Sequence, residues 1–169
     1  MEDFEILKGK FSNIFIKIVF GLMKNDLSEI RHYLSDDVYN MYQSVVDNNI
    51  KNNELPMYDL LNVKSISLVD SYEKDDSYYV KVLLVSRYMD YVVDKDTLEY
   101  KRGEDSRRIE KNHYLTFKKL KSATERKNVI KCEYCGANLD INSSGVCEYC
   151  GKVADVSHYD YILVEADYI

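Results

Sequence analysis

The stretch YYVKVLLVSRYMDYVV, residues 78–93, decides the fold of this 169-residue chain. Its β-branched and aromatic residues predict an extended strand, and around Val82–Val85 both alternating sets of side chains are apolar. Such a strand is expected where helices cover one face of a sheet and other segments cover the second face. We therefore predict a deeply buried middle strand over residues 77–93, with helices packed on its sheet.

Two further strands are predicted beside the middle one. Residues 61–73 and 107–120 are also rich in β-branched and aromatic residues. The polar stretches EKDD, residues 73–76, and DKDTLEYKRGED, residues 94–105, predict the turns that connect the three strands into an antiparallel meander. The last apolar segment, residues 159–169, predicts a further strand or a short tail that returns to the main body.

Helices are predicted for the first third of the chain. Apolar residues recur at steps of three and four over residues 3–24, which is the period of one helical face. Asp26, with Glu29 three residues later, predicts the N-cap of a short second helix that runs to Leu34. Ser35 predicts the N-cap of a third helix, which ends in the polar stretch before the single proline. The fold class is therefore α+β, with N-terminal helices on a curved antiparallel sheet in the shape of a cone.

A cone of helices on a curved sheet tends to leave a concave apolar pocket. The chain has 16 tyrosines and no tryptophan, so we expect an aromatic lining with hydroxyl groups at its tips. We predict that Tyr79, Leu83, Tyr88 and Phe117 line this pocket. The alternative is that they fill it as ordinary core residues.

The stretch KCEYCGANLDINSSGVCEYCGK, residues 131–152, contains two Cys-x2-Cys pairs, which predict a metal site. The two-residue gap within each pair lets a tight turn bring both sulfurs to one side. A glycine after each pair, Gly136 and Gly151, permits a left-handed turn that points backbone amides at the thiolates. The predicted ligands are Cys132, Cys135, Cys147 and Cys150.

Zinc fits these four cysteines better than the alternatives, which are two disulfides, a rubredoxin-like iron site or a redox dithiol. A disulfide framework needs an exported protein, and the acidic N-terminus is not that of a secretory signal. A redox dithiol needs one Cys-x2-Cys at a helix start, whereas both pairs here fall in predicted turns. Four thiolates leave no open coordination position, so we predict one zinc ion in a structural role.

The charge distribution is uneven. The net charge is −6, yet residues 101–131 contain eleven lysines and arginines against four acidic residues. This segment is either a solvated strand face or a stripe that docks anions. The apolar stretch over residues 11–23 is too short to span a bilayer and contains Lys17. We expect a cytoplasmic protein, with peripheral contact to a membrane as the alternative location.

The helical front half, the strand meander and the terminal IKCEYCGANLDINSSGVCEYCG together resemble bacterial relatives of the C-terminal domain of the mitochondrial inner-membrane translocase subunit 44. The resemblance implies a fold similar to nuclear transport factor 2, with an apolar cavity and with zinc-binding knuckles appended in some bacterial members. It also implies docking rather than catalysis. The metal role carries over to the four cysteines only.

We therefore divide the chain into a cone-shaped α+β domain (residues 1–128), a zinc ribbon (residues 129–153) and a terminal strand or tail (residues 154–169). The predicted function is a non-catalytic module that binds a protein segment or a lipid in an apolar pocket or groove. The partner itself is unknown at this stage.

Two other functions compete with docking. An enzyme would use an acid–base pair in the cone cavity, for which His113 and Asp90 on predicted strands are the candidates. A nucleic-acid-binding ribbon would stack bases on Tyr134 and Tyr149, but we expect these rings to pack against the ribbon hairpin or the main sheet. The acidic residues of the ribbon also oppose phosphates, so no nucleic acid is expected as a partner.

Overall fold

In a computed structural model, two α-helices pack on a curved, unclosed, four-stranded antiparallel sheet. The structure describes residues 3–123, 129–132, 134–140, 147, 149–152 and 160–169, and all statements about elements refer to these residues. The predicted α+β fold class is confirmed. In chain order the elements are α1 (Phe4–Lys24), a 3₁₀-helix (Arg31–Tyr33), α2 (Asp36–Lys51), β1 (Glu54–Lys74), β2 (Ser77–Asp94), β3 (Tyr100–Leu120), β4 (Val129–Lys131), β5 (Asn138–Asp140) and β6 (Ile162–Glu165).

Helix α1 forms where the sequence predicts it, because both ends are capped and one face is apolar. The Asp3 carboxylate accepts a hydrogen bond from the backbone N–H of Glu5 in the first turn. At the other end Asn25 adopts a left-handed conformation with φ of 53°, and its N–H donates to the carbonyl of Leu22. The apolar residues that α1 buries are Leu7, Phe11, Ile14, Phe15, Ile18, Val19 and Leu22.

The predicted second helix is wrong in type and extent. Within the segment from Asp26 to Leu34, the helical part is the single 3₁₀ turn Arg31–Tyr33. The Asp26 carboxylate accepts a hydrogen bond from the N–H of Ser28, only two residues later, and so closes a turn instead of capping a helix. The backbone hydrogen bonds that follow in this segment join residues three apart, which is the 3₁₀ pattern.

Helix α2 begins with the predicted cap. The Ser35 hydroxyl accepts a hydrogen bond from the N–H of Val38 at 3.3 Å. The buried face of α2 includes Val38, Tyr42 and Val46, which recur at four-residue steps. The Tyr42 hydroxyl donates to the carbonyl of Asp167 at 3.0 Å, so α2 also holds the segment that follows β6.

The sheet has the strand order β1-β2-β3-β6, which places β2 between two long partners. Strand β1 begins at Glu54 rather than at residue 61 and includes Pro56. A proline is tolerated here because β1 is an edge strand. Strand β3 begins at Tyr100 rather than at residue 107. The predicted turn over residues 94–105 is therefore shorter than expected.

The turn between β2 and β3 is tight because one carboxylate closes it. The Asp94 side chain accepts hydrogen bonds from the backbone N–H groups of Asp96 and Thr97 at 2.9 and 3.0 Å. The N–H of Asp94 donates to the carbonyl of Glu99, and strand pairing resumes at once. A local carboxylate contact thus replaces most of the long loop that the polar composition predicted.

The core lies between the helices and one face of the sheet. Along β2 the side chains alternate, so that Val80, Val82, Leu84, Ser86 and Tyr88 are buried on the helix-facing side. The Phe11 ring of α1 lies parallel to the Phe117 ring of β3, with centroids 3.8 Å apart. Tyr161 packs edge-on against Phe11 at 5.5 Å. Packed side chains thus fill the space under the helices at this position.

Strand β6 continues the main sheet beyond β3. Phe117 and Lys118 pair antiparallel with Leu163 and Ile162. The carbonyl of Leu163 also accepts a hydrogen bond from the N–H of Ser35 at 2.9 Å. The end of the chain is therefore attached both to the sheet and to the start of α2.

Candidate metal centre

The first Cys-x2-Cys pair forms a knuckle at the end of the small ribbon. Strands β4 and β5 pair antiparallel, and Cys132 follows β4 directly. The N–H of Gly136 donates to the carbonyl of Cys132 at 2.9 Å, and the N–H of Cys132 donates to the carbonyl of Ala137 at 2.7 Å. These two hydrogen bonds fold the chain back so that Cys135 returns toward Cys132.

The second pair forms the same knuckle. The N–H of Gly151 donates to the carbonyl of Cys147, and the N–H of Cys147 donates to the carbonyl of Lys152, both at 2.8 Å. Gly136 and Gly151 have φ angles of 77° and 73°, the left-handed conformation that the sequence predicted. A Cβ atom built at either glycine would meet no atom within 4 Å, so backbone conformation rather than space calls for glycine here.

The two knuckles bring all four sulfurs together. The Sγ atoms lie within 4.8 Å of one another, and in the part of the chain that the structure describes this is the one cluster of three or more potential metal ligands. Cys132 Sγ is 3.6 Å from Cys150 Sγ, and Cys135 Sγ is 3.5 Å from Cys147 Sγ. Tetrahedral zinc with bonds of about 2.3 Å places its sulfurs roughly 3.8 Å apart. The spacing therefore fits a zinc ion at the centre of the cluster.

Backbone amides prepare the first sulfur of each knuckle for metal binding. Hydrogen bonds from the N–H groups of Cys135 and Tyr134 lower the pKa of the Cys132 thiol to about 7. A hydrogen bond from the N–H of Cys150 likewise lowers the pKa of Cys147. Because a thiolate rather than a thiol binds the metal, these amides reduce the cost of deprotonation.

The arrangement is typical of a structural metal site. Cys132 and Cys147 are buried, Cys135 and Cys150 are exposed, and none of the four is in a disulfide. Four sulfur ligands complete a tetrahedral shell, so a bound zinc would have no position left for water or substrate. The four cysteines are thus compatible with a metal ion that holds the two knuckles together.

The part of the chain that precedes β4 matches a known domain family. The sequence profile of the Tim44-like domain matches residues 3–128, from the N-cap of α1 to the residue before β4. The chain belongs to the Tim44-like domain family. The match ends before the first cysteine, so the metal site lies outside the part of the chain that the family covers. None of the curated proteins compared with the chain matches it.

Within the described ranges, no helix combines the length and the apolarity needed to cross a bilayer.

The four residues predicted to line a pocket of the Tim44-like domain lie on two faces of the sheet. Tyr88 and Phe117 are fully buried on the helix-facing side. Tyr79 and Leu83 occupy the alternate positions of β2, so their side chains point to the opposite face. There the Tyr79 ring stacks on Tyr72 at 5.0 Å and borders a shallow recess of about 150 Å³. The four side chains therefore do not surround one common cavity.

The two candidate catalytic residues of the Tim44-like domain occupy different environments. His113 Nε2 lies 2.7 Å from the Ser86 hydroxyl, and both side chains are almost fully buried. Burial lowers the pKa of His113 to about 4, so its ring is neutral at pH 7. Burial raises the pKa of Asp90, which is only partly exposed. A histidine and a serine this deeply buried hold each other in place but present no reactive atom to a substrate.

The basic segment over residues 101–131 is partly neutralised by ion pairs where it is described. Arg102 donates two hydrogen bonds of 2.9 Å to the buried Glu54 carboxylate, and Lys101 lies 3.0 Å from the same carboxylate. Lys121 pairs with Glu73 at 2.9 Å. These ion pairs reduce the positive charge that would be free to bind an anionic ligand. The sequence around Glu54 did not predict its two ion pairs, because Lys101 and Arg102 lie on another strand.

One expectation about the knuckles is wrong. Tyr134 and Tyr149 are not packed into a contact that buries them, because 63% and 80% of their surfaces are exposed. The repeated Cys-Glu-Tyr-Cys sequence was a signal that the two rings would have matching positions. Their exposure follows from the knuckle fold, in which the residue before the second cysteine lies at the outside of the turn.

Proposed function

We propose that this Tim44-like protein is a non-catalytic docking module that binds a segment of another protein. Its C-terminal cysteines hold one structural zinc ion. Family membership supports docking, since the resemblance to the translocase subunit implies docking rather than catalysis. The proposed division into a cone (1–128), a zinc ribbon (129–153) and a returning terminal segment (154–169) agrees with the end of the family match at residue 128.

The observation that carries this proposal is the filled interior. Phe11 and Phe117 stack at 3.8 Å, and Tyr88 is completely buried, where an enzyme of this shape would need an open cavity. Small-molecule sites usually enclose about 300–1,000 Å³. The recess beside α1, lined by residues such as Lys10 and Tyr33, has a volume of about 150 Å³. A packed interior favours recognition at the surface over chemistry or acyl-chain binding inside.

The outer edge of the sheet offers one surface for such a segment. Strand β1 ends the strand order, so the backbone groups along its outer edge are not paired within this sheet. Its second half also exposes apolar and aromatic side chains, with Leu68 at 42%, Val69 at 47% and Tyr72 at 42%. An extended peptide could add to this edge as a further strand, with backbone hydrogen bonds for affinity and these side chains for contact.

The proposed site of action is the cytoplasm, where thiols stay reduced and four cysteines can hold zinc instead of forming disulfides. Peripheral contact with a membrane remains the alternative location, through the lysines and arginines of β3. The proposal does not include nucleic-acid binding, because the ribbon carries acidic residues and a four-thiolate zinc would add two negative charges.

Native mass spectrometry of the purified protein, with metal analysis of the same sample, tests the proposal. We expect one zinc ion per chain and no further bound molecule. A co-purifying mass of lipid size would contradict docking of a protein segment and favour lipid binding. The Cys147→Ser variant is the control for the metal, and it should lack the zinc mass. A wild-type protein without metal would overturn the zinc assignment.

A further inference from the structure

The two most exposed aromatic side chains that the structure describes are Tyr149 and Tyr134, at 80% and 63%. Each is the third residue of a Cys-Glu-Tyr-Cys repeat, and the two knuckles make the same backbone hydrogen bonds. The rings therefore occupy equivalent positions beside one cluster of sulfurs. Single exposed aromatic residues are common on protein surfaces, but two equivalent ones beside one rigid site form a repeated feature.

Neither ring contributes much to the stability of the fold. A ring that stays 63% or 80% exposed keeps most of its apolar surface in water, so little hydrophobic stabilisation is gained. Tyr149 makes no ring or cation contact with another residue of the described ranges. Large, rigid side chains with a polar tip are the residues that protein interfaces use most as anchors. The knuckles thus present two rigid aromatic platforms to solvent.

The negative charge of the cysteine segment favours a positively charged partner. Four thiolates on one divalent zinc carry a net charge of about −2. In the sequence, the segment over residues 131–152 has three acidic residues against two lysines, which is a net charge of −1. A phosphate backbone would be repelled by this negative charge, whereas lysine and arginine side chains would be attracted to it.

One of the rings already binds a cation within the chain. The Lys152 ammonium lies over the Tyr134 ring, 4.9 Å from its centroid. This is the geometry of a cation–π contact, in which the face of the ring attracts a positive charge. The more exposed ring, Tyr149, presents the same chemistry without such an internal cation among the described residues.

We propose that Tyr134 and Tyr149 form a docking surface for a lysine- or arginine-rich segment of a protein partner. The rings take up the cationic side chains by cation–π contact, and the negative charge of the thiolate cluster adds long-range attraction. This inference rests on the proposed docking function and deepens it, because it assigns the chemistry of a partner and a second surface besides the β1 edge.

Fluorescence anisotropy with labelled octa-arginine and octa-lysine tests the inference on the full, zinc-loaded chain at 0.15 M salt. Octa-glutamate and a twelve-residue oligothymidine are the comparison probes. We expect the basic peptides to bind more tightly than both. The double variant Tyr134→Ala/Tyr149→Ala should weaken the binding of octa-arginine about 5- to 20-fold, since each exposed cation–π contact contributes about two- to fivefold.

Two control variants separate the rings from general charge attraction. Tyr114→Ala removes another exposed tyrosine that has a lysine over its ring, Lys81 at 5.6 Å, but it lies on the main sheet. It should change binding by less than about twofold. The double Tyr→Phe variant keeps both rings and should also retain binding within about twofold. The visible spectrum of bound cobalt checks that each variant keeps its four-thiolate site.

Several outcomes would overturn this inference. The first is that the basic peptides do not bind. The second is that Tyr114→Ala weakens octa-arginine binding as much as the double alanine variant does. The third is that oligothymidine binds more tightly than the basic peptides and that its binding depends on Tyr134 and Tyr149. These results leave the general docking function standing if native mass spectrometry finds zinc and no lipid. A lipid-sized mass together with intact peptide binding would instead overturn the proposed function alone.

Discussion

The Phe11 ring on α1 and the Phe117 ring on β3 are parallel within 4°, and their centroids are 3.8 Å apart. Both side chains are fully buried, so this stack joins the helical layer to the sheet at the centre of the core. It also occupies the place where the cone shape suggested a ligand cavity. The first prediction follows from this contact.

Substitution of Phe117 by alanine should lower the free energy of unfolding by about 3–5 kcal/mol, because it removes the stack and leaves a cavity. Phe117→Leu keeps most of the volume and should cost roughly half as much or less. Urea denaturation followed by circular dichroism measures both values. A loss below about 1 kcal/mol for the alanine variant would mean that the ring does not lie in a packed core.

His113 makes stability depend on pH in the weakly acidic range. Its pKa is about 4 in the folded protein, against 6.5 for an ordinary histidine, because burial disfavours the charged ring. Between these two pKa values the unfolded chain binds a proton at His113 and the folded protein does not. The free energy of unfolding therefore falls as the pH drops from about 6.5 toward 4. The full effect is about 3 kcal/mol.

Unfolding free energies at pH 7.5, 6 and 5 measure this slope, and His113→Gln should make it shallower. A nuclear magnetic resonance titration of the His113 ring provides an independent check. A midpoint near pH 6.5 in the folded protein would contradict the prediction.

We expect the Glu54 side chain to contribute substantially to the free energy of unfolding, although it lies at the start of a strand. Hydrogen bonds from Arg102 and then Lys101 lower the pKa of Glu54 to about 2. We expect Glu54→Gln to lower the free energy of unfolding by about 1.5–3 kcal/mol, since a buried charge-assisted contact is lost. This stabilisation is complete above the ordinary pKa of 4.5 and is lost as the pH falls toward 2.

Glu104→Gln is the matched control for Glu54. Its carboxylate lies 3.9 Å from the exposed Arg107, and exposed pairs of this kind contribute less than about 1 kcal/mol. Thermal or urea unfolding at pH 7 compares the two variants. If both variants lose the same free energy of unfolding, the contact between Glu54 and Arg102 is no stronger than an exposed ion pair.

Substitutions at the glycines of the knuckles should affect zinc binding according to the backbone conformation that the new residue prefers, and not according to the size of its side chain. Gly136 has φ of 77° and open space around its Cα, so Gly136→Asn should weaken zinc binding less than Gly136→Val. The valine variant should lose about 5- to 30-fold in affinity, because a left-handed β-branched residue costs about 1–2 kcal/mol. Competition with a chromogenic chelator measures zinc affinity. Similar affinities for Asn and Val would contradict a conformational role.

Removal of the metal should affect the knuckles and leave the main sheet intact. After treatment with a chelator, we expect faster hydrogen exchange at Cys132, Gly136, Cys147 and Gly151, whose amides are hydrogen-bonded within the knuckles. The amides of β2 should keep their protection, because they pair with β1 and β3 and not with the ribbon. Hydrogen exchange with mass spectrometry tests this, and loss of protection throughout β2 would show that the whole fold depends on the metal.

The features that the sequence predicted well are those with local causes. The period of α1, the serine cap of α2 and the spacing of the cysteines each depend on residues a few positions apart. The four sulfurs could be assigned to one site because two identical pairs with left-handed glycines leave few other geometries.

The features that depend on distant partners were harder to predict. The start of β3 at Tyr100 follows from its pairing with Val93, and Asp26 closes a turn because its carboxylate reaches the Ser28 amide first. Which face of β2 each side chain takes depends on the register with both neighbours, and β1 shifts its register in several places. A pocket lining assigned from composition alone could not take that register into account.

The pairing of β6 with β3 has a consequence for the architecture as a whole. The chain leaves the main sheet after Leu120 and returns beside it at Ile162, opposite Lys118. The cysteine segment is thus inserted between two neighbouring strands, much as a guest domain is inserted into a host loop. A hairpin of a few residues is long enough to join two such neighbouring antiparallel strands. We therefore expect that the cysteine segment can be removed or exchanged as a unit, while β1, β2, β3 and β6 keep their order in the sheet.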